Sequence, residues 1–367
     1  MEYERLSTLT NAMVKQAPGS DFAKFAWLLM HSKNDTFKME SVAARFVQAA
    51  PAVFRVTKAA VSALGTTSAG FADDATWQSM SREFIALVNE QTVYGQLQNK
   101  MRRVAFLQRT LVQLTPTDAS WVGESKPKPM SSLTFDSTTI PPAKVVALVV
   151  FTEELSQTWS RATEQNIRDS LVASVAKFID GAFLNPLSAA VAGTNPASVT
   201  YGVTATPSTG SAAAQISADL RAMLNRMVAT GSDLSSVAII LHPQTALFMS
   251  SLLTTGGDLM FPNLGAVGGE IWKIPVMTSL AAGEWSSPSE RVIVAIDDRG
   301  ILYADDGKVL INASREASLQ FVSDPVSGSV ALVSLWQTNH TGLRVERFVS
   351  WQRADDNAVQ VISGVQF

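Results

Sequence analysis

The side chains best suited to acid–base or metal chemistry are three histidines, His31, His242 and His340. They lie far apart in the chain, and none has a second ligand at metal-binding spacing. His242 ends an apolar run and precedes Pro243, which is more typical of a structural histidine than of a general base. A Ser/His/Asp triad can join residues that are distant in sequence, so a hydrolase with a dispersed triad stays open. The sequence has no Gly-x-Ser-x-Gly elbow to support it.

Adjacent carboxylates can hold calcium or magnesium, and the sequence has four aspartate pairs: Asp73-Asp74, Asp297-Asp298, Asp305-Asp306 and Asp355-Asp356. None fits a calcium-binding loop, and the pairs at 297 and 305 precede glycine in contexts typical of hairpin turns. The sequence lacks the phosphate-binding Gly-x-x-x-x-Gly-Lys-Ser/Thr loop. The stretch from Gly265 to Gly269 does not fit the dinucleotide fingerprint. We therefore predict no catalytic residue, no metal and no cofactor.

Composition excludes further classes of protein. The chain has 367 residues, of which 46% are hydrophobic and 17% charged, so it can build a large core. A net charge of −3 is not the footprint of a nucleic-acid-binding protein, and Arg102, Arg103 and Arg109, the most basic spot, are interpreted as a solvated face. The absence of cysteine excludes disulfide scaffolds, thiol catalysis and cysteine-ligated metal sites.

Neither a membrane span nor a signal peptide is predicted. The apolar run Val145 to Phe151 is far shorter than the roughly 20 residues that a bilayer requires. Glu2, Glu4 and Arg5 precede any apolar block, unlike the start of a signal peptide. We expect the product to stay in the cell that makes it unless that cell lyses.

Apolar spacing predicts helices over part of residues 1–64, over Trp77 to Leu97, over Glu164 to Leu184 and from Ser211 to Gly231. Residues 1–64 are interpreted either as a helical subdomain packed on the rest or as an arm that packs on a neighbour. The helix from Glu164 is the strongest, with Thr163 as its expected cap. Its apolar stripe is expected to comprise Ile167, Leu171, Val175, Phe178, Ile179 and Phe183, with Asp180 elsewhere on the wheel. The run Val237 to Leu241 predicts a strand buried on both faces. Most of the chain after residue 270 predicts strands, so the class is α+β.

Residues 116–150 differ from their surroundings. Five prolines there, at 116, 127, 129, 141 and 142, forbid a continuous helix. Leu133 and Phe135 alternate among serine and threonine in a strand-like pattern. Long segments of this kind tend to be functional. We predict a two-stranded projection that returns through Val145 to Phe151.

Several motifs of this region resemble the extended loop of tailed-bacteriophage major capsid proteins, which have the Hong Kong 97-type fold. The resemblance rests on the runs 121–129 (WVGESKPKP), 140–144 (IPPAK) and 151–155 (FTEEL), with Phe135 between them. The helix from Glu164 resembles the spine helix of that family, and Ile239 to Phe248 resembles part of its axial domain. The likeness extends from about Trp77 to Phe367.

The resemblance implies an α+β capsid fold with a peripheral domain carrying the spine helix, an axial domain, an extended β-hairpin loop and an N-terminal arm. The corresponding segments are an N-terminal helical segment and linker (1–70), the N-arm (71–115), the extended loop (116–150), the peripheral domain (151–210), the axial domain (211–340) and the C-terminal return strands (341–367). The family forms hexamers and pentamers around double-stranded DNA.

The resemblance also implies partners and contact residues. The partners are other copies of the chain, a portal, a scaffold or maturation protease, and a decoration protein, with DNA enclosed without specific binding. The expected inter-subunit contacts in the extended loop are Trp121, Glu124, Lys126, Lys128, Phe135 and Lys144. One relative joins its subunits through a Lys–Asn isopeptide bond, but no acceptor or catalytic acid can be matched here, so non-covalent contacts are predicted. The expected location is the virion, after assembly in the bacterial cytoplasm.

Three alternatives remain open at this point. Encapsulin compartments use the same fold and enclose protein rather than DNA, and a fold does not fix a function. A phage decoration or tail protein would form rings, tubes or trimers. A cytosolic hydrolase with a dispersed triad would be an enzyme and a monomer.

Overall fold

The computed structural model describes residues 20–31, 41–43, 53, 81–113, 120–124, 126, 130, 135–152, 154, 161–254, 256–283, 291–322 and 331–367. The chain divides into two compact units. The first unit comprises Met1–Gln91, Val145–Ala176 and Gly307–Phe348, and the second comprises Thr92–Lys144, Lys177–Asp306 and Val349–Phe367. Both units are built from separate stretches of chain, and the six segment bounds expected from the sequence stay predictions.

The principal helices, in chain order, are α1 (Ser20–His31), α2 (residues 81–91), α3 (Val93–Gln98), α4 (Arg161–Leu184), α5 (Ala213–Ala229) and α6 (Pro243–Ser250). In the part of the chain that the structure describes, no helix has both the length and the apolarity needed to cross a bilayer. In the first unit, Phe22 of α1 stacks on Phe84 of α2 with ring centroids 4.2 Å apart. The two interpretations of residues 1–64 stay predictions.

The single helix predicted over Trp77 to Leu97 is wrong where the structure describes it. Thr92 adopts an extended backbone conformation and its hydroxyl accepts a hydrogen bond from the amide of Gly95, so Thr92 caps a new helix, α3. A threonine that satisfies a free amide in this way favours a helix start over helix continuation. Residues 77–80 lie outside the described part.

Helix α4 confirms the long helix predicted from Glu164, although it begins at Arg161, so Thr163 lies inside it and is not its cap. It ends before Asn185-Pro186, as predicted. Leu171, Val175, Ile179 and Phe183 of the predicted apolar stripe are buried. Phe178 is 59% exposed, so it does not belong to the buried face.

The strands in chain order are β1 (Arg102–Arg103), β2 (Thr110–Gln113), β3 (Phe135–Thr138), β4 (Lys144–Thr152), β5 (Thr206–Pro207), β6 (Val237–Leu241), β7 (Leu264–Gly265), β8 (Gly268–Ile271), β9 (Ile274–Thr278), β10 (Arg291–Asp297), β11 (Ile301–Ser314), β12 (Ser318–Leu319), β13 (Val333–Ser334), β14 (His340–Arg353) and β15 (Val359–Val365). Together with the helices they confirm the α+β class.

A seven-stranded mixed sheet forms the core of the second unit, in the order β5-β15-β10-β6-β9-β8-β7. Strand β6 lies in its middle, parallel to β9 and antiparallel to β10, and all five of its residues are buried. This confirms the strand predicted to be buried on both faces. Apolar residues of α5 and α6 pack on this sheet, including Leu220, Met223 and Met249.

The other large sheet has the order β1-β11-β14-β4. Strand β11 runs without reversal through Asp305-Asp306-Gly307, so the hairpin turn predicted there is wrong. Gly307 has a φ of +68°, a left-handed conformation that glycine adopts without steric cost inside the strand. The turn after Asp297 exists, but it joins β10 to β11, which belong to different sheets, so it is not a hairpin.

A buried carboxylate in the second unit links three elements. Asp180 of α4 accepts hydrogen bonds from the backbone amides of Val93 and Tyr94, at the start of α3, and from the Ser279 hydroxyl at 2.9 Å. Burial raises the pKa of Asp180, against the lowering effect of these three hydrogen bonds. The sequence pattern placed this residue away from the apolar stripe, with no indication of its role.

Replacing Asp180 with alanine is expected to lower the free energy of unfolding by about 1–3 kcal/mol, because the two amides and the hydroxyl lose their acceptor. Chemical denaturation of the unassembled chain measures this change. The matched control is Asp169→Ala on the same helix, where an exposed carboxylate pairs with Arg168 at 2.8 Å and a change within about 0.5 kcal/mol is expected. Equal losses in the two variants would contradict the linking role of Asp180.

Candidate subunit interface

The extended loop is bounded by a short antiparallel hairpin. Strand β2 pairs with β3 so that Thr110 faces Thr138 and Gln113 faces Phe135. The partner strand of β3 therefore lies before residue 116, and β4 joins the four-stranded sheet. The predicted return through Val145 to Phe151 is wrong, because the apolar character of that run suits a larger sheet rather than a two-stranded ribbon.

An apolar cluster in the second unit fixes the base of this hairpin. Ile140 is 1% exposed and packs with Leu302 and Ala304 of β11. Val104, Phe106, Val112 and Ala354 surround these three residues. We call these seven residues the loop-base cluster. It holds both ends of the loop, since Val104 and Phe106 precede β2 and Ile140 follows β3.

Hydrogen bonds also hold the hairpin at the loop-base cluster. The Thr138 hydroxyl donates to Oε1 of Gln352 at 2.8 Å, which ties β3 to β14. The amide of Leu107 donates to the carbonyl of Ile140 at 3.0 Å. Leu107 has a φ of +58°, a conformation that a leucine rarely adopts, and its side chain is exposed. The chain therefore turns sharply where the loop leaves the body of the unit.

The predicted contact residues divide into exposed ones and ones outside the described part. Trp121 is fully exposed, and Glu124, Lys126 and Lys144 are exposed as well. Lys128 lies outside the described residues, and so does the side chain of Phe135. Lys144 begins β4 and does not lie in the loop proper. The structure thus presents the described ones along a segment of the chain.

Further exposed apolar side chains in and beside the loop were missed by the sequence reasoning. Met130 is 97% exposed, and Val122 and Leu111 are exposed too. In the sequence, Met130 is visible only as an isolated apolar residue among proline, lysine and serine. Exposed apolar residues concentrated on one segment mark interaction sites.

A second apolar surface lies on the first unit. Strand β4 is at the edge of its sheet, and alternate residues on one face, Val146 and Leu148, are about half exposed. The solvent face of an antiparallel sheet is usually polar. An apolar solvent face on an edge strand invites contact with another chain. Neither β4 nor the described part of the loop contains a side-chain arrangement that performs a reaction.

The histidine that ends the apolar run of β6 has a structural role. His242 is buried, and its Nδ1 atom accepts a hydrogen bond from the amide of Gln244, which caps helix α6. Among the described residues, no group of three histidine or acidic side chains is placed to hold a metal ion. These observations give the dispersed-triad alternative no support.

Comparison with known proteins assigns the family. The model of the phage capsid family matches residues 74–364. The chain belongs to this family. It is 34% identical over 327 residues to the capsid polyprotein of Pseudomonas phage PAJU2, and the match covers 85% of this chain and 48% of the relative. The chain thus spans about half the length of that curated relative.

Solved structures agree on the fold. The structure from Gordonia phage Cozz matches with a TM-score of 0.53 and 17% identity, over 72% of this chain and 85% of that chain. The structure from Mycobacterium phage Ogopogo matches with a TM-score of 0.52 and 19% identity, over 73% and 91%. The capsid of an empty GTA particle matches with a TM-score of 0.51 and 13% identity, over 73% of this chain and 88% of that chain. The predicted family and the predicted Hong Kong 97-like fold are confirmed.

Truncating Ile140 to alanine is expected to lower the free energy of unfolding by about 2–5 kcal/mol, because it leaves a cavity in the loop-base cluster. Denaturation of the unassembled chain, followed by tryptophan fluorescence, measures this loss. The control is Leu111→Ala on β2, where the exposed side chain should cost little. A loss at Ile140 no larger than at Leu111 would show that the cluster does not anchor the loop.

Proposed function

We propose that the chain is the shell-forming subunit of an icosahedral phage head, assembling into hexamers and pentamers around double-stranded DNA. The observation that carries the proposal is an anchored loop with an exposed apolar segment. Exposed Trp121 and Met130 raise the free energy of an isolated chain. Covering both side chains with another copy of the chain lowers it. Membership of the phage capsid family supports this role over an encapsulin or a tail protein.

The proposed contact joins the loop of one copy to the apolar face of β4 on another. Both surfaces expose apolar side chains, Trp121 and Met130 on the loop and Val146 and Leu148 on the strand. Fully burying one such side chain contributes about 1.5–3 kcal/mol. Glu124, Lys126, Lys128, Phe135 and Lys144 are proposed to supply the surrounding charged and aromatic contacts. Contacts of this size suffice, because closure of a symmetric shell repeats each of them many times.

The subunit contacts are proposed to be non-covalent. Lys126, Lys128 and Lys144 are the lysines that the sequence offers in or beside the loop. The matching asparagine and catalytic acid of an isopeptide bond are not recognisable. The role is therefore structural, and we infer that the chain has no enzymatic activity of its own.

The remaining partners follow from the shell role. A portal, a scaffold or maturation protease, and a decoration protein would act with the chain during assembly in the bacterial cytoplasm. The assembled subunit would belong to the virion. The packaged DNA would be enclosed without specific binding, since a net charge of −3 does not favour tight binding to phosphates.

The double variant Trp121→Ser, Met130→Ser is expected to fold normally but to lose at least ten-fold in the yield of closed particles, because it removes the apolar contacts of the loop. Negative-stain electron microscopy of the overexpressed chain counts the particles, and circular dichroism checks the fold. Trp121→Phe is the control and should still assemble, since it keeps an aromatic contact. Normal shells from the double variant would refute the proposed role of the loop.

The absence of cysteine allows a direct test of the contact. Met130→Cys copies and Leu148→Cys copies are mixed before assembly and then oxidised, and we expect a disulfide-linked dimer on a non-reducing gel. Each variant alone, and Met130→Cys mixed with Val228→Cys on α5, serve as controls. Shells that form without this dimer would place the loop on another surface and leave the shell role intact.

A further inference from the structure

A carboxyl group in the second unit is buried without any hydrogen-bond partner. Asp298 begins the 3₁₀ turn Asp298–Gly300, and its side chain is 0% exposed. Among the residues that the structure describes, neither of its carboxyl oxygens has a hydrogen-bond partner. Buried carboxyl groups are normally paired, because an unpaired charge in the protein interior is very costly. Such an exception calls for an explanation in terms of function.

The charges around Asp298 do not compensate for its burial. Burial raises the pKa of Asp298 to about 7, Lys100 lowers it, and the neighbouring Asp297 raises it. The hydroxyls of Ser232 and Ser236 donate to the carboxylate of Asp297, each at 2.6 Å. The same turn carries Arg299, which pairs with Asp233 at 3.1 Å.

Two other elements contact the turn and carry charges. One is β1, with Arg102 and Arg103, and the other is the 3₁₀ turn Asp356–Ala358, where Asp355 caps the turn and Asp356 lies 3.6 Å from Arg353. Arg103 donates to the carbonyl of Asp305. The cation whose charge acts on Asp298 is Lys100.

The turn that contains Asp298 is connected to the loop-base cluster. The carbonyl of Gly300 accepts a hydrogen bond from the amide of Ala354 at 2.8 Å, and Ala354 packs on that cluster. A methyl group added at Gly300 would overlap the Cβ atom of Ala358, so Gly300 packs closely against Ala358. Strand β11, which begins directly after the turn, contributes Leu302 and Ala304 to the cluster.

We propose that Asp298 is a proton-controlled latch for the base of the extended loop, closed while its carboxyl is neutral and opened when the carboxyl ionises. The neutral acid can stay inside the packed turn. The carboxylate needs water or Lys100, and it reaches them only when the turn leaves its position against Ala354 and Ala358. Opening the turn loosens the loop-base cluster through Gly300, Leu302 and Ala304.

The sign of the pH effect follows from the protons that each state binds. The folded chain keeps the Asp298 proton up to about pH 7, whereas an unfolded aspartate loses it near pH 4. Folded stability from this group is therefore complete below pH 4 and is lost as the pH rises towards and through 7.

The test uses the full-length, unassembled chain, so it does not depend on the shell role. Wild type and Asp298→Asn, which stays neutral at every pH, are compared by thermal melting from pH 5 to pH 8.5. We expect the melting temperature of the variant to exceed that of wild type by an amount that grows from pH 5 to about pH 7 and levels off above it. The control is Asp356→Asn, whose carboxylate is exposed, and it should follow wild type.

Hydrogen exchange, corrected for the intrinsic pH dependence of amide exchange, locates the effect. Peptides containing the amides of Val104, Leu107 and Ala354 should lose protection above pH 7 in wild type and keep it in Asp298→Asn. These amides donate to carbonyls in and around the loop base. An identical pH dependence in wild type and variant would overturn the proposal.

A second variant covers the case in which Asp298→Asn does not fold. Lys100 is exposed, so Lys100→Gln should fold normally. Removing this cation should raise the pH at which the loss of wild-type stability levels off. A levelling-off pH that does not change would also overturn the latch.

Discussion

The burial of Ile140 is the interaction on which the proposed interface depends. Without the loop-base cluster, the segment between β2 and β3 would have no fixed starting point, and its exposed tryptophan and methionine would sample many directions. With Ile140 packed against β11, both ends of the loop leave the second unit at one place. Part of the conformational entropy of the segment is then already lost when the chain folds. This lowers the entropic cost of binding another copy of the chain.

The same cluster connects the interface to the interior of the second unit. Strand β11 supplies two of its buried residues and begins at the turn that contains Asp298. The Thr138–Gln352 hydrogen bond ties the hairpin to β14, whose Trp351 packs against Tyr94 and Phe183. The anchor of the loop therefore rests on a rigid aromatic and apolar core.

Apolar side chains at the surface and a polar group in the interior both depart from ordinary packing in this chain. Met130, Val146 and Leu148 are exposed where water would normally meet polar side chains, and Asp298 is buried without hydrogen-bond partners. Each departure raises the free energy of the isolated chain. Assembly can relieve the first, and protonation relieves the second, which is why both are interpreted as functional features.

The sequence alone determined the family, the α+β class, the long helix α4 and the buried strand β6, because these depend on motifs and periodicity that act within a few residues. Tertiary structure decided the rest. It paired β3 with β2 and moved β4 into a larger sheet, it carried β11 through a sequence that resembles a turn, and it buried Asp180 and Asp298. Strand pairing and burial depend on residues that are distant in the chain, so no local pattern could have specified them.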